Sequence, residues 1–201
     1  MQKRLTFGFD FDQTLANSEA GITDCLDYIC RKFGVTKNQS HLEALATSGL
    51  SLDPMIKELV KMDEIDQATE EFLRIYPVLG VQGTVAMPGA NEILNSVTSN
   101  GHRIAIISAK TTSNLVASIH HLGFKVDAVH GGAYGDEKAA LIKKESAFIY
   151  VGDQESDAMA AINAGVVAVL VNANNPNSRI PHHYFENLFS LQSSIFELIP
   201  N

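Results

Sequence analysis

Short apolar runs alternate with amphipathic stretches along most of this chain, and one long helical segment interrupts them early. Residues Leu5 to Phe9 are apolar, β-branched or aromatic and stop at an acidic loop, which predicts a buried strand. From Asn17 to about Leu79 the apolar residues recur at helical spacing. Ile22, Leu26, Ile29 and Phe33 share one face, and Gly34 follows as a stop. Ile65, Ala68, Phe72, Ile75 and Leu79 share another, and Asp53-Pro54 reads as a helix N-cap with proline in the first turn.

After Pro88 the period switches back and forth. Helices are expected over Pro88–Ser99, Thr111–Leu122 (closed by Gly123), Asp136–Lys144 (capped by Asp136) and Glu155–Asn163. Strands are expected over Arg103–Ile107, Val126–Val129, Ala147–Val151 and Val166–Val171. The tail from Pro181 to Leu198 adds an edge strand and a last helix. Near-continuous apolar strands between helices predict an α/β fold with a doubly wound, mostly parallel sheet. Residues 1–15 and 87–201 would form that α/β core, and 16–86 a small inserted helical domain.

The 201 residues suffice for this arrangement, and 19% charged residues gives no sign of disorder. The formal net charge of −8 argues against nucleic acid or an anionic membrane as the main partner, since both attract basic surfaces. An anionic substrate stays open, because a bound divalent ion can reverse the local field. Cys25 and Cys30 sit five apart in an expected helix, which is neither a metal-ligand nor a redox-pair spacing, and they read as buried thiols of a reducing compartment. Asp10 and Asp12 interrupt the first apolar run too early for a signal peptide, and the longest apolar run is too short to span a bilayer. The expectation is a cytoplasmic protein.

The strand ends carry the chemistry. The first expected strand ends in Asp10-Phe11-Asp12-Gln13-Thr14, the second in Ser108 and the fourth in Gly152-Asp153-Gln154-Glu155-Ser156-Asp157, with Lys138 in the helix just before that fourth strand. In a doubly wound sheet ligands bind beyond the carboxyl ends of the strands, so these side chains converge. Carboxylates gathered at one spot repel unless a cation sits among them, and hard oxygen donors without Cys or His favour Mg²⁺ completed by a substrate phosphate. A carboxylate at Asp10 could attack phosphorus to form an acyl phosphate, and Asp12 could protonate the leaving oxygen and later activate water. Ser108 and Lys138 would hold the phosphoryl oxygens that are not transferred. Blander readings exist for Asp153 as a helix cap, Asp157 as a surface acid near a helix N-terminus and Ser108 as a turn hydroxyl.

The run Phe9-Asp10-Phe11-Asp12-Gln13-Thr14-Leu15, then Ile106-Ile107-Ser108, then Lys138, then Val151-Gly152-Asp153-Gln154-Glu155-Ser156-Asp157 resembles the haloacid dehalogenase-like (HAD) hydrolase superfamily, and within it the phosphoglycolate phosphatase-like group. The resemblance covers nearly the whole chain. It implies a helical cap domain in the insert, with Pro88-Gly89-Ala90 as the return to the core. It implies Asp10 as nucleophile and metal ligand, and Asp12 as general acid/base that also offers a backbone carbonyl to the metal. Asp153 would be the second carboxylate ligand, and Asp157 would support the metal through water. Thr14 would position the loop on the phosphate side, where Ser108 and Lys138 bind phosphate. Asp12 favours phosphoryl transfer over carbon–halogen cleavage. Departures from the pattern are Gln13 in place of the usual Gly, Gln154 where Thr is common, and the absence of Pro after Lys138. Lys110, close to Ser108, reads as a surface or substrate-facing residue, and His130 as structural.

The expected function is Mg²⁺-dependent hydrolysis of a small phosphorylated metabolite. A sugar phosphomutase and a non-catalytic regulatory module on the same fold are the alternatives. Between Ala16 and Ala86 there are eleven acidic and six basic residues, so the insert carries no evident anion trap, with Arg74 as the one candidate.

Overall fold

The computed structural model describes residues 4–172, 179–180 and 182–199. Pro181, where the sequence reading starts the C-terminal segment, lies outside them. Strand β1 (Thr6–Phe9) leads through an acidic loop to β2 (Ala16–Asn17). Helices α1 (Glu19–Lys32), α2 (Gln39–Ala46), α3 (Leu52–Lys57) and α4 (Ile65–Ile75) follow, with a 3-10 turn over Met62–Glu64, and then β3 (Val85–Ala86). The remaining elements alternate: α5 (Ala90–Ser99), β4 (Arg103–Ile107), α6 (Thr112–Leu122), β5 (Ala128–His130), α7 (Gly135–Lys144), β6 (Ala147–Gly152), α8 (Glu155–Ala164) and β7 (Val167–Val171). Strand β8 (His183–Phe185), α9 (Leu188–Ser194) and a 3-10 turn over Ile195–Leu198 end the described chain.

Six strands form one parallel sheet in the order β5-β4-β1-β6-β7-β8. The chain winds outward from β1 through β4 and β5, then crosses back and winds outward the other way from β6. The switch point therefore lies at β1 and β6, where a doubly wound sheet opens its ligand crevice. Side chains alternate across the sheet as a period of two requires. Phe7, Phe9, Ile104, Ile106, Ile149 and Val151 pack against α5, α6 and α9. Ile107, Tyr150, Ala168 and Leu170 pack against α7 and α8. Each fully buried Phe or Ile of this kind contributes roughly 2–3 kcal/mol.

The helices of the insert bury their own cluster, with Leu26, Ile29, Leu42, Ile56, Phe72 and Tyr76 at its centre. The chain leaves and rejoins the sheet through a two-residue antiparallel ribbon, Ala16 opposite Ala86 and Asn17 opposite Val85, which is too short to leave a pattern in the sequence. Two expected caps are corrected. Ser51 and Tyr134, not Asp53 and Asp136, are the N-caps of α3 and α7, and the two aspartates sit in the first turn, where the helix dipole favours a negative charge. Among the described residues no helix is long and apolar enough to cross a membrane.

Candidate active site

The carboxyl ends of β1, β4 and β6 gather almost all of the expected residues. Asp10 follows β1, and its amide donates to the Val151 carbonyl of β6 at 2.8 Å, which pins the acidic loop to the neighbouring strand. The loop then doubles back. Leu15 and Ala16 amides both donate to the Phe11 carbonyl at 2.9 Å, and the Gln13 amide donates to the Ala16 carbonyl at 2.7 Å. This turn holds Gln13 at φ 60°, a left-handed conformation that suits glycine, which explains the residue type usual there. Gln13 nevertheless lines the cleft.

Carboxylate oxygens of Asp10, Asp153 and Asp157 all lie within 4.8 Å of one another. Lys138, near the start of α7, reaches into this group. Its ammonium donates to Asp10 Oδ1 at 2.9 Å and to Asp157 Oδ1 at 2.7 Å, all three side chains being buried. It also lies 5.7 Å from the centre of the Tyr150 ring, and the Tyr150 hydroxyl donates to the Ile107 carbonyl. The second oxygen of Asp157 accepts from the Gln154 amide at 3.1 Å. Asp157 is thus a buried member of the cluster, not a surface acid, and Gln154, not Asp153, caps α8. Gly152 makes this possible, because a methyl group there would collide with Asp157.

Burial, and after it the repulsion of Asp157, pushes the Asp10 carboxyl up to about 7, against the pull of Lys138. Burial, with the charges of Asp10 and Asp157, pushes Asp153 up to about 8. Three carboxyl groups face one ammonium, and the raised values of Asp10 and Asp153 reflect the negative charge this single cation does not balance. That deficit matches a divalent cation, and the all-oxygen donor set matches a hard one.

Asp12 takes no part in this cluster. Its Oδ2 pairs with the Lys110 ammonium at 3.1 Å, and its Oδ1 is buried without a hydrogen-bond partner among the described residues. Lys110 also donates to the Tyr76 hydroxyl at 2.7 Å and lies 4.7 Å from the centre of that ring. Its side chain is only 5% exposed, so the surface reading of Lys110 is corrected: it is buried between the acidic loop and the end of α4. Of the residues expected to face phosphate, Ser108 and Lys138 line the cleft. Thr14 lies beneath it, fully buried, and its hydroxyl donates to Asp153 Oδ1 at 3.4 Å. Arg74 is turned to Glu71, with two hydrogen bonds of 2.6 and 2.9 Å. His130 bonds Glu145 at 2.8 Å, as a structural histidine would.

Two contacts between the helical insert and the sheet escaped the sequence reading. One is Lys110 with Tyr76. The other is Gln154, whose amide lies directly against Gly49 in the loop after α2, at φ 70°. No local motif marks either pair, since the partners are distant in sequence. Replacing Gly49 by Ala forces a methyl group onto that amide and a side chain into a left-handed turn, at roughly 1 kcal/mol for the backbone alone. We expect Gly49→Ala to lower kcat/KM about tenfold or more by lifting the loop. Adding Gln154→Ala to that variant should recover part of the loss, and no recovery would show that the contact is incidental.

Comparison with known proteins agrees with this geometry. The family model for haloacid dehalogenase-like hydrolases matches residues 8–171, and the chain belongs to that family. No curated protein matches the sequence. Among solved structures, a haloacid dehalogenase-like family hydrolase from Streptococcus pneumoniae superposes with a TM-score of 0.79 at 17% identity, covering 97% of this chain and 100% of its own. A predicted phosphatase from Clostridium acetobutylicum gives 0.79 at 19% identity, covering 96% and 99%. A predicted phosphoglycolate phosphatase from Haemophilus somnus gives 0.78 at 18% identity, covering 98% and 99%. At such identities the likeness is one of fold.

Proposed function

We propose that this protein is a Mg²⁺-dependent phosphatase of small phosphate monoesters, and that Asp10 is its nucleophile. The observation that carries the reading is the division of labour between the two aspartates of one loop. Asp10 faces Asp153, Asp157 and Lys138, while Asp12 pairs with Lys110, which in turn bonds Tyr76 of the helical insert. Asp10 attacks phosphorus, the bond to the leaving oxygen breaks, and Asp12 supplies that oxygen with a proton. Water then attacks the aspartyl phosphate, Asp12 takes its proton, and inorganic phosphate leaves with the Asp10 carboxylate restored. Ser108 and Lys138 hold the transferred group, Lys138 from the same ammonium that now steadies Asp10 and Asp157. Thr14 acts from below, by orienting Asp153.

Asp10 and Asp153 would hold the ion through their side chains, Asp12 through its backbone carbonyl and Asp157 through water. The ion would keep Asp10 ionised and neutralise charge on the phosphoryl oxygens. Residues 16–86 would act as the cap, swinging on the ribbon of β2 and β3 to exclude water. The predicted phosphatases among the structural neighbours support the reaction class. Free, buried Cys25 and Cys30 support a cytoplasmic setting.

The direct test is phosphate release from p-nitrophenyl phosphate with Mg²⁺ and with EDTA. Activity is expected only with the metal, and equal rates with EDTA would overturn the metal assignment. A second test uses the titration of the site. Without metal, Asp10 and Asp153 carry protons up to about pH 7 and 8, above the usual carboxylate value. A raised pKa makes their contribution to stability fall as pH rises through that window. Bound Mg²⁺ reverses the penalty, since it favours the ionised form. The rise in Tm caused by Mg²⁺ over EDTA should therefore grow between about pH 6 and pH 8.5, a trend thermal melts can follow. A metal increment that is flat or falls over that range would contradict the site.

A further inference from the structure

Resting on the phosphatase reading, we infer that the leaving group of the substrate is neutral, with an apolar face, so that phosphate is the substrate's only anionic group. The cleft above Asp10 has a floor and a roof of opposite character. Every charged residue that lines it belongs to the sheet side: Asp10, Asp12, Lys110, Lys138, Asp153 and Asp157. The roof comes from the helical insert. It is built from Ile22, Leu50, Leu52, Met55, Phe72 and Tyr76, with small residues of the loop after α2 between them, and carries no charged side chain among the described residues.

A second anion on the substrate would need a cation, and both lysines of the cleft are committed. Lys138 sits between Asp10 and Asp157. Lys110 is held by Asp12 and by the hydroxyl of Tyr76. No basic residue of the insert lines the cleft among the described residues. Arg74 and Lys32 both pair with Glu71, at 2.6 and 2.7 Å, and neither lines the cleft. A carboxylate or second phosphate on the leaving group would be buried among apolar walls beside the Asp12 carboxylate, with no compensation for its lost hydration.

An apolar face does find partners there. Phe72 and Tyr76 are packed at a ring-centre distance of 5.7 Å and form an aromatic corner over the Asp12 side of the cleft, while Leu50 is 43% exposed at its mouth. Thr111 and Asn114 also line the cleft, as uncharged polar residues.

The test compares kcat/KM of the full-length protein with Mg²⁺ for benzyl phosphate and for phosphoglycolate, which differ in the second anion and the apolar ring. Benzyl phosphate is expected to be preferred by at least about 100-fold, and a preference for phosphoglycolate would overturn the inference. The variant Leu50→Arg places a cation at the exposed rim of the roof, where folding is not at stake. It should shift the ratio at least about tenfold toward phosphoglycolate, and an unchanged ratio would show that the roof does not meet the leaving group. Binding of the same two esters to Asp10→Asn with Mg²⁺, read by calorimetry, ranks them without turnover. If neither wild-type hydrolysis nor any other monoester hydrolysis is seen, the phosphatase reading falls, while the binding order still decides whether the cleft prefers a neutral apolar group.

Discussion

Asp10→Asn is expected to abolish turnover, with kcat reduced on the order of 10⁴-fold or more, while the protein stays folded. Asparagine keeps the shape of the side chain and its place at the end of β1, but its amide cannot form an acyl phosphate. The fold should tolerate the change because the native carboxylate is itself poorly accommodated. Burial pushes it up to about 7, so an uncharged group in the same volume removes a desolvation cost even as Lys138 loses one of two anionic partners. Thermal melts without metal should place Tm within a few degrees of the wild type. The metal increment in Tm should shrink, because one of the side chains holding the ion has lost its charge. Retention of more than about one hundredth of wild-type activity would mean that another group attacks phosphorus.

Lys138→Met should do the greatest damage to stability of any single change at the site. The ammonium is buried and, among the described residues, is the only cation bonded to Asp10 and Asp157. Removing one partner of a buried ionic network leaves uncompensated charge and costs about 3–5 kcal/mol. For a chain of this size that corresponds to a fall in Tm of about 10 °C. The loss has a direction in pH. Without Lys138 the Asp10 carboxyl shifts further upward, and a carboxyl with a raised pKa contributes stability at low pH that disappears as pH rises through that value. The deficit against wild type should therefore be largest near pH 8 and shrink on acidification toward pH 5. Denaturant midpoints measured at the two values check it. A variant as stable as the wild type at pH 8 would show that the ammonium is not what holds the carboxylates together. Activity should fall with it, because the same ammonium faces the phosphoryl group.

What the sequence revealed and what it hid divide along physical lines. The parallel core was legible because its strands are buried on both faces and therefore nearly continuously apolar, as in residues 104–107 and in Val167–Val171. The convergence of Asp10, Ser108, Lys138 and Asp153 was legible because a doubly wound sheet brings its strand ends together whatever the helices do. Element ends were less so. Asp53 and Asp136 look like caps in sequence, but a residue of the first turn and a true cap have the same preference for a carboxylate, and only the backbone tells them apart. The burial of Lys110 was illegible for another reason. Its partners are Asp12, 98 positions away, and Tyr76, 34 positions away, and a lysine near a strand end is ordinarily solvated. The same holds for Gln154 against Gly49, where the insert and the sheet meet only in three dimensions. The site's chemistry is thus written in local motifs, while the surfaces that close over it are set by packing between distant segments.

The central claim is that phosphorus is bonded to Asp10 during the reaction. A single turnover with enzyme in excess over a ³²P-labelled monoester, quenched in acid during the reaction and digested, tests it directly. The account predicts transient label on the peptide that contains Asp10, gone at long times and absent in Asp10→Asn. Release of labelled phosphate with no protein-bound label at any time would contradict it, because water would then be attacking the substrate without a covalent intermediate.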